Sequence, residues 1–252
     1  MQLAIDIRAE AGGGAISALD FSALGPDDYL NLILQRSEVM FDIPKSGQVI
    51  RAWEAGDMDP ISRVIADMGE DIARRAAGVI HAEYRTLAPL IAARGVSRLA
   101  DIGCGYALFD LFVARDNDCD LLLIDLEVND RRNFGFAEQG AAYSNLSVAR
   151  KILENNGISS DRIVTLNPRD TAPEAAGPVD FAVSFLSCGF HYPVDAYLPF
   201  VDQALTAGGT AIFDLRAATA AEQAAKLATY GTITDLAAPK KARRVQLVKE
   251  AA

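Results

Sequence analysis

Leu99-Ala100-Asp101-Ile102-Gly103-Cys104-Gly105-Tyr106-Ala107 reads as a buried strand that turns sharply into a helix: an apolar run closed by an acid, then two glycines one residue apart. Glycine lets the backbone pass close to a ligand, and the helix that follows starts at the carboxyl edge of the sheet. A Gly-x-Gly pair by itself fits a structural turn as well as a site. With the strand before it and the helix after it, the pair points to a nucleotide-like ligand.

Outward from that turn the chain alternates short apolar runs with helical stretches, the pattern of parallel β-α-β units. Strands are expected at Val96–Ile102, Leu121–Leu126, Ile163–Leu166, Val179–Leu186 and Thr210–Leu215. The second is continuous enough in Leu and Ile to be covered on both faces. A helix carrying Leu146, Ala149, Ile152 and Leu153 starts at a Ser144/Asn145 cap and stops at Asn156-Gly157, and another spans Ala196–Thr206. Thr232–Leu236 and Val245–Val248 are spaced for an antiparallel hairpin. From Pro26 to Arg94 the apolar spacing is helical, as in Ile61, Val64, Ile65, Met68 and Ile72, whereas the first 20 residues carry Gly12-Gly13-Gly14 and read as a loose arm. The expected architecture is a doubly wound, mostly parallel α/β sheet with an antiparallel C-terminal hairpin. A flexible arm and helical N-terminal cap (1–94) precede the cofactor-binding domain (95–252).

Half of the 252 residues are hydrophobic and 23% are charged, which suits one large folded domain with a helical extension. With 34 acidic against 24 basic residues the net charge is −10, so the surface repels phosphate backbones and nucleic acid is not the expected partner. The basic run Lys240-Lys241-Ala242-Arg243-Arg244 reads as a solvated loop. Three cysteines, Cys104, Cys119 and Cys188, without Cys-x-x-Cys spacing suggest neither a disulfide framework nor a zinc site. No leader pattern or long apolar segment is present, and the expectation is a cytoplasmic protein with no membrane partner.

Charge selects among nucleotide ligands. Leu108 occupies the third glycine position of a dinucleotide turn, and Asp101 beside a pyrophosphate would be repelled. Next to a ligand bearing an ammonium and a sulfonium the same carboxylate is favourable, which selects S-adenosylmethionine.

From this turn to about residue 250 the chain resembles the class I S-adenosylmethionine-dependent methyltransferases. The resemblance implies that Asp101, Gly103, Cys104 and Gly105 hold the methionine part of the cofactor. Leu123-Ile124-Asp125-Leu126 is similar to the family's second strand end, implying a ribose contact from Asp125, with Glu127 as the alternate and Leu126 alongside. Asn167 or Asp170 stands where the family places an adenine contact, though both also suit simple turn chemistry around Pro168. Ser187, after the fourth strand, completes the expected cofactor set. Residues 135–146 together with Cys188-Gly189-Phe190-His191-Tyr192-Pro193 are similar to sugar O-methyltransferases.

In such an enzyme the acceptor meets the cofactor beyond the fourth strand, where His191 is the candidate base and Tyr192 a substrate-orienting group, each with a purely structural alternative. Cys188 reads as a small buried residue, and His81 as a solvent-edge one. Asp125, Glu127 and Asp130 match no metal loop, and no metal is expected. Arg36, Arg51 and Trp53 are pocket candidates by residue type alone. Ser187-Cys188-Gly189-Phe190 replaces the Asn/Asp-Pro-Pro-aromatic turn of enzymes acting on exocyclic amines. The expectation is therefore O-methylation of a small molecule, with possible pairing of two copies through the cap. A nicotinamide-dependent oxidoreductase and a non-catalytic cofactor-binding protein are the alternatives.

Overall fold

Seven strands form one sheet in the order β3-β2-β1-β4-β5-β7-β6 in the computed structural model, which describes residues 5–126 and 144–251. The strands are β1 Arg98–Ile102, β2 Asp120–Ile124, β3 Ile163–Leu166, β4 Val179–Ser184, β5 Leu205–Arg216, β6 Gly231–Leu236 and β7 Ala242–Lys249. β1 to β5 are parallel, and β7 is antiparallel to both β5 and β6. The helices are α1 Ile7–Gly12, α2 Gly14–Ser17, α3 Pro26–Gln35, α4 Ser46–Glu54, α5 Asp59–Met68, α6 Asp71–Arg94, α7 Leu108–Asp116, α8 Leu146–Asn155, α9 Leu198–Gln203 and α10 Ala220–Leu227.

Strand alternation sorts the core into two layers. Leu99, Leu121, Leu123, Phe181, Val183 and Ile212 face α7, α8 and the N-terminal helices, while Ala100, Ile102, Leu122, Ile124, Ala182 and Phe213 face α9 and α10. Leu121 to Ile124 are all fully buried because helices cover both faces, which is why β2 shows no polar alternation. Asp101 has the parity of Leu99, so its carboxyl lies on the α7 side. β1 and β4 are neighbours although the chain leaves them toward opposite edges of the sheet, and this reversal opens the crevice above their carboxyl ends.

The loose arm expected over the first 20 residues is corrected. Residues 7–17 form α1 and α2, and Ile16, Leu19 and Phe21 are core residues. Asp6 caps α1 by accepting from the Ala9 amide at 3.0 Å, and Arg85 pairs with Glu10. α1 buries no side chain, so no apolar stripe marks it in the sequence. It is held by backbone proximity, since a Cβ on Gly78 of α6 would stand 2.9 Å from the Ala11 nitrogen.

Other differences are small. The helix expected at Ala196–Thr206 ends at Gln203, and β5 begins at Leu205 rather than Thr210. The register against β4 jumps from Val179↔Leu205 to Phe181↔Thr210, so Gly208 and Gly209 lie in a bulge that interrupts the apolar pattern. Asn145 caps α8 as read, accepting from the Val148 amide at 3.2 Å. Among the described residues no helix is long and apolar enough to cross a membrane.

Candidate functional site

The turn after β1 is tied to the tip of β2 through its own amides. Gly103 and Cys104 N–H donate to the Ile124 carbonyl at 2.7 and 3.3 Å, and Gly105 N–H donates to Asp125 Oδ2 at 2.7 Å. Asp125 Oδ1 accepts from the Leu126 amide at 2.7 Å. Three successive amides that would cradle a phosphate in a dinucleotide turn therefore point at the neighbouring strand. A carboxylate has about four acceptor positions, so the group type at Asp125 suits a ribose diol, which offers two donors side by side. Leu126 carries its carbonyl to the Ser144 hydroxyl at 3.0 Å.

Gly103 has φ +82° and Gly105 φ +57°, a region that disfavours side chains. A Cβ on Gly103 would lie 2.0 Å from Ser187 Oγ, and one on Gly105 would lie 3.4 Å from the Gln35 amide of α3. The glycines thus admit the turn after β4 on one side and the cap on the other. Tyr106 reinforces the cap contact: its hydroxyl donates to Asp28 at 2.7 Å and accepts from Asn31 at 2.8 Å, both on α3.

The turn is strongly acidic. Asp101 is buried, and burial first, then the neighbouring Asp110 and Asp125, push its carboxyl well above the usual range. Burial pushes Asp110 up to about 7. Burial and the same three acids raise the Cys104 thiol, so it stays protonated and unreactive. Sequence reasoning passed over Asp110. The signal was present as the lone acid in Leu108-Phe109-Asp110-Leu111-Phe112-Val113-Ala114.

The turn after β4 is fixed from three sides. The Ser184 hydroxyl donates to the Ile102 carbonyl and accepts from the Cys188 amide, both at 2.9 Å, joining this turn to the end of β1. Gln223 of α10 donates to the Gly189 carbonyl at 2.8 Å and accepts from the Val194 amide at 3.0 Å. Arg216 of β5 donates from Nε to the Phe190 carbonyl at 2.8 Å, with its guanidinium over the Phe190 ring. Ser184 and Gln223 carried no sequence signal, because both act through partners distant in the chain.

On this frame Ser187 Oγ lies 3.3 Å from the Tyr192 hydroxyl. Burial raises the Tyr192 phenol far above its ordinary value, so it stays protonated. His191 is half-buried, and burial followed by the nearby Arg216 charge lowers its pKa below 6.5. Its imidazole is neutral at pH 7.

Asp101, Gly103, Cys104, Gly105, Asp125, Leu126, Ser187 and Tyr192 thus belong to one interlocked pair of turns, with His191 on the same β4 turn. Asn167 and Asp170 lie toward the β3 edge, lining a groove of about 540 Å³ with Leu146 and Arg150. Asn167 Oδ1 accepts from the Arg169 amide at 3.1 Å, the turn chemistry that was the alternative reading for it.

Arg36 is locked to Glu83 by two bonds of 2.9 and 2.8 Å, Arg51 is exposed on α4, and Trp53 packs on the core. His81 is partly buried, with its side chain 18% exposed beside Glu10 and its ring 4.7 Å from that of Phe112. Among the described residues no cluster of three metal-ligating side chains occurs. Glu127, Asp130 and the stretch 135–143 lie outside the described residues.

No protein-family model matches the chain. No curated protein matches it either. Among solved structures it is similar to a "putative O-methyltransferase" from Nostoc punctiforme, at 13% identity and TM-score 0.50 over 71% of this chain and 59% of that one. It also resembles, at TM-score 0.47 and 15% identity, the O-methyltransferase of tomaymycin synthesis from Streptomyces achromogenes, solved with S-adenosylmethionine, over 66% of this chain and 79% of that one. An rRNA methylase from Streptococcus thermophilus gives TM-score 0.46 and 16% identity over 68% and 96%. The chain spans 59% of the length of the Nostoc protein. The strand order with its antiparallel β7, together with that likeness, gives this chain the class I methyltransferase fold.

Proposed function

We propose that the protein is an S-adenosylmethionine-dependent methyltransferase that methylates a hydroxyl group of a small molecule, a sugar being the first class to test. One observation carries the cofactor reading: the glycine turn is lined by Asp101, Asp110 and Asp125, and its amides are already bonded to the β2 tip. That set of acceptors repels a pyrophosphate and suits a ligand with an ammonium, a sulfonium and a ribose diol. The name given to the Nostoc structure agrees with this reading.

When bound, the cofactor supplies an electrophilic methyl group. The chain's own part is to align the acceptor, exclude water and take one proton from the attacking hydroxyl. The cap reaches the glycine turn through Gln35, Asn31 and Asp28, which supports a small enclosed acceptor over a large one. His191 is neutral at working pH and takes the proton at a ring nitrogen. Tyr192 remains a hydrogen-bonding group and orients the acceptor oxygen.

The cofactor reading is tested by calorimetric titration with S-adenosylmethionine and S-adenosylhomocysteine. Micromolar binding is expected, with a loss of about tenfold or more in Asp125→Ala, the equivalent of one charge-assisted hydrogen bond. Saturable binding of reduced nicotinamide cofactor in place of either compound would reverse the reading.

The base is tested by the pH dependence of kcat/KM for the acceptor, with S-adenosylmethionine kept saturating at every pH so that cofactor affinity does not enter. A base must be deprotonated to act, and the lowered pKa of His191 places the acid limb below pH 6.5, with a plateau across neutrality. In His191→Gln that limb should vanish along with about 100-fold or more of the rate. An acid limb that survives the substitution would remove His191 from the role.

A further inference from the structure

Two carboxyls face each other beneath the glycine turn. Asp101 ends β1 on the α7 side of the sheet, and Asp110 lies in the first turn of α7, so the loop between them folds one acid over the other. Asp110 is fully buried and Asp101 is 5% exposed. Among the described residues, no N–H or hydroxyl of another residue donates to either Asp110 oxygen, and the group within hydrogen-bonding reach is the Asp101 carboxyl. Among the described residues the other titratable neighbours are Asp125 at the β2 tip and the Cys104 and Cys119 thiols, and none of the described cations acts on either acid. Two ionised carboxylates in such a place would repel each other with nothing to offset the loss of water, so one proton must be shared.

We propose that Asp110 is a positioning residue for the cofactor turn: it shares one proton with Asp101, the O–H between the two carboxyls holding the Asp101 side chain in one orientation, and the pair gives the proton up to solvent when the ammonium of the ligand arrives. This rests on reading the turn as a site for S-adenosylmethionine. It goes beyond that reading in assigning a role to a residue that touches no ligand.

The burial-driven rise of Asp110 to about 7 puts the exchange within reach of ordinary buffers. Linkage fixes the directions. A site that binds ligand better after losing a proton tightens as pH rises, and the free protein, which holds a proton the unfolded chain has released, loses stability over the same interval.

The test compares wild type with Asp110→Asn, whose amide keeps a permanent donor toward Asp101 without a titrating proton. S-adenosylhomocysteine is titrated into each at pH 7 in two buffers of different ionisation enthalpy. The difference between the two proteins cancels protons carried by the ligand. Wild type should release a fraction of a proton more per site than Asp110→Asn and bind more tightly at pH 8 than at pH 6. Asp110→Asn should bind with nearly constant affinity, and Asp110→Leu, which offers Asp101 no hydrogen-bonding partner, should lose about 10- to 100-fold. Equal proton release in wild type and Asp110→Asn overturns the proposal.

If wild type binds neither cofactor form, the methyltransferase reading falls and the ligand-linked release falls with it. The shared proton is then judged on the free protein alone. Thermal denaturation from pH 5 to 8 should show wild type losing stability and Asp110→Asn holding it. Parallel curves overturn the shared proton as well.

Discussion

Asp214→Ala is expected to lower the unfolding free energy by about 3–5 kcal/mol, because it strands a buried guanidinium. Asp214 on β5 and Arg244 on β7 are register partners, joined by two hydrogen bonds of 2.7 and 2.8 Å. Asp214 is fully buried and Arg244 is 5% exposed, so water cannot replace the lost carboxylate. The guanidinium also lies 4.6 Å from the centre of the Phe185 ring, just beyond β4, and its charge reaches Glu83 on α6. Glu83 in turn holds Arg36 at the end of α3. Removing one member therefore loosens the seam between the sheet and the cap as well as the β5–β7 ladder. At about 2–4 °C per kcal/mol for a chain of this size, the midpoint should fall by roughly 6–20 °C. Asp214→Leu combined with Arg244→Met should recover much of the loss, since an apolar pair needs no counter-charge. A single variant with wild-type stability, measured by urea and thermal denaturation, would show that the pair is solvated and the cap seam independent of it.

The parts of this molecule that could be read from sequence are those whose cause is local. Leu121 to Ile124 spell a strand covered on both faces, and Asp101-Ile102-Gly103-Cys104-Gly105 spells a strand end, an acid and a turn. The antiparallel hairpin follows from two short apolar runs and their separation. What escaped is set by contacts distant in sequence. α1 forms because Gly78, some 65 residues later, lets two backbones touch. Gln223 looks like any polar residue on an amphipathic helix until its amide is seen spanning Gly189 and Val194. β5 starts early through a glycine bulge that breaks the apolar period. Asp110 is the exception, since a lone acid in an apolar helix is a local signal, and buried acids are rare unless something requires them. Its meaning still needed the fold, because only the sheet parity of Asp101 puts the two carboxyls on the same side.

Gly103→Ala is the substitution expected to disturb the site itself most. An alanine there must hold φ +82°, at a cost of about 1–2 kcal/mol, and its methyl would meet Ser187 Oγ at 2.0 Å and Ser187 Cβ at 2.5 Å. Rotating the serine moves only the hydroxyl, so the β1 and β4 turns must separate. Yet Ser184 pins those turns together through the Ile102 carbonyl and the Cys188 amide. Overpacking at such a point adds about 1–3 kcal/mol, and cofactor affinity should fall with stability because the displaced turn carries the Gly105 amide bonded to Asp125. The clash separates from the backbone strain in a double-mutant cycle. Ser187→Gly removes both offending atoms, the next being Ser187 Cα at 4.0 Å, and the pair should recover about 1–3 kcal/mol relative to the sum of the singles while the φ penalty remains. If the two changes simply add, the Gly103–Ser187 contact does not set the spacing of the two turns. The coupling between the cofactor turn and the β4 turn that carries His191 must then be sought in Ser184 instead.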